Sequence, residues 1–148
     1  MAMKAFADLL PIRSAIDPTS GRYDAKQLAA LLDWTGAEIA QYLERSPAMI
    51  ASSPTAATLQ DRLAQLAALF RDLVTLFTVP AKEDIDPDVL AYMPFYEGTA
   101  KDGTAGARAW LRTPIRAFDG KSAKERILEG RIDWVRGVVD SFESGINP

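Results

Sequence analysis

From Asp24 onward the apolar residues of this chain fall at helical intervals. Leu59, Leu63, Leu66, Phe70, Leu73 and Phe77 follow one another at steps of 4, 3, 4, 3 and 4, which places them on one face of a helix with 3.6 residues per turn. Leu69 and Leu76 widen that stripe beyond a narrow two-stranded seam. A helix from Leu59 to Phe77 is about 27 Å long, enough to form the spine of a small domain. The stripe suits the core helix of one monomer, and it also suits the seam of a homodimer. A second periodic run closes the chain, with Ile132, Val135, Val139, Phe142 and Ile146 at steps of 3, 4, 3 and 4 and with Trp134 and Val138 on one flank. Shorter helical groups are Leu28, Leu31 and Leu32; Ile39, Ala40 and Leu43; Met49 and Ile50; Ala107, Trp110 and Leu111; and Ile127 and Leu128. No alternating apolar–polar run competes for a sheet, so the fold expected is all-α.

Start and stop signals agree with these runs. Asp24 can cap the first helix. Thr35-Gly-Ala-Glu38 and Ser122-Ala-Lys-Glu125 are capping boxes, in which the hydroxyl accepts an orphan amide and the glutamate reaches back to the cap N–H. Ser46-Pro47 pairs a cap hydroxyl with a proline at the first helical position. Ser53-Pro54, Pro80, Thr113-Pro114, Gly130 and Gly145 mark helix ends. The chain divides accordingly. Residues 1–23, punctuated by Pro11, Pro18 and Gly21, read as an N-terminal arm. Residues 24–80 hold a helix-turn-helix-like unit and the long helix. Residues 81–103 form a linker, and residues 104–148 a small helical C-terminal domain. The linker's acidic run, Glu83 to Asp88, reads as a solvated loop because it lacks the glycine and terminal glutamate of a calcium loop. Tyr92, Phe95 and Tyr96 surround Pro94 as an aromatic patch, suited either to covering a neighbouring helix or to touching a partner.

Two absences narrow the chemistry. The chain has no cysteine and no histidine, which excludes disulfide frameworks, thiolate nucleophiles, ordinary zinc sites, triad hydrolases and phosphohistidine relays. No pair stands out among the 20 acidic residues as an acid–base couple, and glycine-rich phosphate or dinucleotide loops are missing. The expectation is a non-enzyme with no metal and no cofactor. The start, Met1 to Lys4, does not read as a secretory signal, and no run of eighteen apolar residues spans a bilayer. A cytoplasmic protein with no membrane partner is expected.

Nucleic acid is the more serious candidate. Segments 25–32, 35–43 and 47–52 have helix-turn-helix lengths, with the helix after Ser46 as the reading helix. Arg22, Lys26, Arg45, Ser46 and Ser52 are the candidate DNA contacts. Such a helix offers hydroxyls for base edges but no Arg, Lys, Asn or Gln of its own, so it is a poor major-groove reader. A DNA-binding transcriptional regulator without a protein target stands as the alternative function.

The last third of the chain carries a resemblance. Ala107-Arg-Ala-Trp-Leu-Arg-Thr-Pro-Ile-Arg-Ala-Phe-Asp-Gly-Lys-Ser122, followed by Glu125, Ile127, Leu128 and Gly130, resembles the toxin-binding domain of Xre/MbcA/ParS-type antitoxins. Trp110, Leu111, Thr113 and Pro114 match that family's helix end and turn. Gly120 matches the second glycine of its leucine-glycine-glycine turn, and Glu143 and Gly145 match its last helix end. Ile115 stands where the family usually has asparagine, Phe118 and Asp119 where it has leucine and glycine, and Ala123 where it has proline. The resemblance implies an antitoxin, commonly dimeric, that blocks the active site of a NAD-consuming RES-domain toxin and in many members represses its own operon at operator DNA. Under that reading Asp140, Phe142, Glu143, Ile146 and Pro148 contact the toxin, while Trp110, Leu111, Pro114 and Gly120 hold the domain together.

Overall fold

The computed structural model describes residues 11–93 and 101–143. Its helices are α1 (Ala25–Leu32), α2 (Gly36–Leu43), α3 (Pro47–Ser52), α4 (Gln60–Phe77), the one-turn α5 (Pro87–Leu90), α6 (Thr104–Arg112), α7 (Ala123–Leu128) and α8 (Ile132–Glu143). Among the described residues the only extended pairings are isolated bridges at Ile16–Tyr23, Val79–Lys101 and Pro114–Ser122. The fold is all-α.

The start signals work as their chemistry requires. The Asp24 carboxylate accepts from the Lys26 and Gln27 amides, and both capping boxes close. The Ser46 hydroxyl accepts from the Met49 amide at 3.2 Å. The ends of α1 and α2 are less ordinary, because each helix stops on a non-glycine residue in the left-handed region, Asp33 at φ 62° and Glu44 at φ 56°. Each cap's N–H turns back to helix carbonyls, and a threonine or serine two residues later begins the next helix. The result is two three-residue corners, Asp33-Trp34-Thr35 and Glu44-Arg45-Ser46, that fold α1, α2 and α3 into one unit.

Within the expected N-terminal arm, residues 11–23 are built into the body. Pro11–Ala15 form a 3-10 helix against α1, the Ile16–Tyr23 bridge closes a turn, and Ala15 is fully buried. The Gln60 side chain accepts from the Tyr23 amide at 2.8 Å and donates to its carbonyl at 3.0 Å. That long-range pairing is invisible to helical periodicity.

Helix α4 is the spine, touching α1, α6 and α8. Leu59, Leu63, Leu66, Leu69, Phe70 and Leu73 are buried within the single chain, so the stripe is consumed as monomer core over this length. It emerges only at its end, where Leu76 and Phe77 are partly exposed. Two glycines let α6 approach that end. A Cβ on Gly103 would lie 2.2 Å from the Val74 carbonyl oxygen, and one on Gly106 would lie 2.9 Å from the Phe77 ring.

Candidate functional site

The C-terminal domain is organised around one buried ring. After α6 the Pro114–Ser122 bridge closes a tight loop, in which Asp119 (φ 56°) and Gly120 (φ 82°) both take the left-handed conformation. An aspartate adopts it at lower cost than most side chains, so the turn forms without a glycine at that position. The loop drives Phe118 into the core with no exposure. There it joins a chain of edge-to-face aromatics: Phe142 to Trp110 at 6.0 Å, Trp110 to Phe118 at 6.0 Å, and Phe118 to Trp134 at 5.6 Å. Such pairs add about 0.5–1.5 kcal/mol each beyond burial.

Arg126, a residue sequence reasoning missed, ties this loop down. Its buried guanidinium donates to the Phe118 carbonyl through Nε (3.2 Å) and Nη2 (2.8 Å), and to Glu129 through Nη1 (2.9 Å). It also lies 4.8 Å from the Trp134 ring centroid, a cation–π distance. The one local clue was Glu129, three residues on along the same helix turn.

Hydrogen bonds from Lys121 and Arg126 pull the Glu129 carboxyl down to about 2 from its ordinary 4.5. A folded-state pKa below the unfolded one contributes stability that is complete above pH 4.5 and lost as the pH falls toward 2. The melting temperature of the Glu129→Gln variant should therefore fall less steeply than the wild type's across that acid window. Parallel profiles in a pH-stepped thermal melt would contradict it.

The expected contact residues cluster only in part. Phe142 is 38% exposed, at once resting edge-on against Trp110 and open to solvent. Asp140 is exposed but engaged, accepting from Arg136 at 2.7 and 2.9 Å, while Arg136 also reaches Asp72 on α4 at 2.6 Å. Hydrogen bonds to Asp140 raise the Arg136 pKa. Asp140 thus helps lock α8 to the spine. Glu143 ends α8, whereas Ile146 and Pro148, with Gly145, lie outside the described residues. Of the expected scaffold, Leu111 is buried, Trp110 is half-buried, and Pro114 and Gly120 are exposed turn positions. Tyr92 in the linker is 88% exposed; Phe95 and Tyr96 lie outside the described residues.

Arg22, Lys26, Arg45, Ser46 and Ser52 are all exposed, but both hydroxyls are engaged within α3. Ser46 caps it, and Ser52 donates to the Met49 carbonyl at 3.2 Å. Arg62 on α4 donates to Glu44 at 2.8 Å and to the Tyr42 carbonyl at 3.0 Å. The Tyr42 hydroxyl returns a bond to the Arg62 carbonyl at 2.6 Å, and burial pushes its pKa up to about 12.

The N-terminal unit is also joined to the C-terminal domain. Gln41 donates to the Leu128 carbonyl, Lys124 pairs with Glu38 and sits 5.9 Å from the Trp34 ring centroid, and Arg108 caps α1 through the Leu31 carbonyl at 2.6 Å. Helix α2 therefore turns part of its polar face toward α7. Along this junction a polar cleft of about 290 Å³ lies between Tyr42, Glu44, Arg62 and Gln65 on one side and Gly130, Ile132 and Asp133 on the other.

Among the described residues no group of acidic side chains is placed to hold a metal ion, and no helix is long and apolar enough to cross a membrane. No curated protein and no solved structure matches the chain. The family model for the antitoxin Xre/MbcA/ParS C-terminal toxin-binding domain matches residues 97–145. That span takes in α6, the Phe118 loop, α7 and α8, which are the elements that carry the aromatic chain and its Arg126 anchor. The C-terminal third of this chain is an Xre/MbcA/ParS toxin-binding domain.

Proposed function

We propose that this chain is the antitoxin of a type II toxin–antitoxin pair and that the end of α8 occludes the active site of a NAD-consuming RES-domain toxin. The observation that carries this reading is Phe142, a large apolar side chain 38% exposed and backed by the half-buried Trp110 and the buried Phe118. A rigid, partly exposed aromatic is the type of side chain that anchors interfaces. Around it the chemistry is acidic: Asp140 and Glu143 flank it in sequence, and the α8 C-terminus adds the negative end of its dipole. A cleft that holds a dinucleotide supplies cationic and N–H groups for the phosphates, so an acidic, apolar plug suits it. Inhibition by occupancy needs no catalytic residue from the inhibitor.

Truncation after Phe142 tests the reading by removing Glu143, Ile146 and Pro148. Co-expressed with the toxin encoded beside it, the shortened chain should fold, as judged by circular dichroism, yet fail to restore growth. Undiminished neutralisation by a folded truncation would refute the proposal that the terminal residues supply the block.

A further inference from the structure

The N-terminal unit carries an apolar groove that the antitoxin reading does not use. It lies where three helix faces converge. Lys26, Ala29 and Ala30 share one face of α1, Gly36 and Ile39 one face of α2, and Pro47, Ile50 and Ala51 one face of α3. Trp34 joins them from the corner between α1 and α2. Trp34, Ile39 and Ile50 are buried and form the floor, whereas Ala30, Gly36 and Ala51 are exposed and too small to fill the space above it. That space measures about 340 Å³, at the small end of ligand pockets. No acidic residue lines it, and Lys26 is its single charge. Lys26 is exposed and makes no ion pair with any described residue. The floor also holds an unmet donor. Among the described residues the Trp34 Nε1 is buried with no hydrogen-bond partner, although native proteins satisfy nearly all such groups. The ring is held from other sides by Tyr42, edge-on at 6.5 Å, and by the Lys124 ammonium, 5.9 Å from its centroid.

We propose that this groove binds a small aromatic carboxylate, whose ring lies over Trp34, Ile39 and Ile50 between the low walls and whose carboxylate pairs with Lys26. The site is separate from the end of α8, and neither reading depends on the other. The chemistry of the lining selects the class. An apolar floor favours a ring that leaves water, and an indole in that floor favours an aromatic one. The lone ammonium, with no acid beside it, selects an anion. A nucleic-acid backbone needs several cations and polar donors for its phosphates, and this lining supplies one cation among apolar groups. A second copy seated here about a twofold axis brings another Lys26 to the same face and no carboxylate from the groove. The Trp34 Nε1 is closed to solvent, so a ligand acceptor gains it only as the ring tilts outward. The Trp34 indole is therefore the signal to follow.

The test titrates 3-phenylpropanoate into the full chain, with 3-phenylpropanamide as its uncharged counterpart. Binding is followed through the indole N–H signals of the three tryptophans in proton–nitrogen correlation spectra. The carboxylate should bind saturably and move the Trp34 signal, while those of Trp110 and Trp134 in the C-terminal domain stay in place. The amide should bind at least about fivefold more weakly, for want of the charge-assisted bond. Lys26→Gln should abolish that difference and leave the two probes alike; the side chain is exposed, so the variant's circular dichroism and melting temperature should match the wild type. Ala30→Phe/Ala51→Phe fills the groove from two walls and should remove binding of both probes. The proposal is overturned by the absence of saturable binding at millimolar probe, by equal wild-type affinities for the two probes, or by shifts spread alike over all three indoles. Undiminished binding by the filled variant places the ligand elsewhere and overturns it too. If the filled variant does not fold, the comparison of the two probes on Lys26→Gln decides. Variants that change only self-association, read by sedimentation, assign the groove to a second copy and overturn the proposal.

Discussion

Phe118→Ala should cost about 3–5 kcal/mol of folding stability, enough to unfold much of the C-terminal domain in a protein of ordinary marginal stability. The ring has no solvent exposure and meets both Trp110 and Trp134 edge-on. Deleting it removes its transfer energy, leaves a cavity between two indoles and severs the aromatic chain that backs Phe142. The loss should register twice, as a lower urea midpoint and as a collapse of near-ultraviolet dichroism from the two tryptophans. Phe118→Leu restores the residue this family usually has there and should recover most of the difference. An alanine variant that melts within about 1 kcal/mol of wild type would show that the domain does not depend on this ring.

Gly103→Ala carries the second large effect, through backbone rather than side chains. The added Cβ would lie 2.2 Å from the Val74 oxygen, 2.6 Å from the Thr78 nitrogen and 2.7 Å from the Phe77 carbonyl carbon, and no rotamer change relieves contact with main chain. The end of α4 and the start of α6 must separate, at about 1–3 kcal/mol or more. That separation should loosen the Val79–Lys101 bridge, so hydrogen exchange at those two amides should accelerate beyond the global change in stability. Gly106→Ala is the control. Its Cβ meets only the ring of the partly exposed Phe77, which can swing aside, so its cost should be much smaller. Equal losses for the two variants would contradict the backbone explanation.

Much of the architecture was legible because helix chemistry is local. The caps at Asp24, Thr35, Ser46 and Ser122 act over two or three residues, and the α4 stripe needs only the repeat of the helix to declare itself. The left-handed stops at Asp33 and Glu44 were not legible. Aspartate and glutamate do not announce a positive φ as glycine does, and there the next helix's cap and the helix–helix contact set the turn. Of the candidate site, the sequence could name a set of neighbouring residues around one turn, for the same reason. Trp110, Leu111, Pro114 and Gly120 sit in a compact run of neighbouring residues, whereas Arg126 and Gly103 act on groups that the linear pattern does not connect to them.

Patterning and capping alone were enough to specify an all-helical chain and where most of its helices begin, while the toxin-binding character of the C-terminal third came from its resemblance to a known domain. Whether the long stripe faces its own chain or another was left open, because the same repeat serves both. Tertiary contact decided it by filling Leu59 to Leu73 with α1, α6 and α8, and it also packed α8 against α4 and fastened α2 to α7. Those outcomes depend on pairs such as Asp72–Arg136 and Glu38–Lys124, more than sixty residues apart. Backbone hydrogen bonds within a helix are encoded a turn away; burial is a property of everything that arrives on the other side.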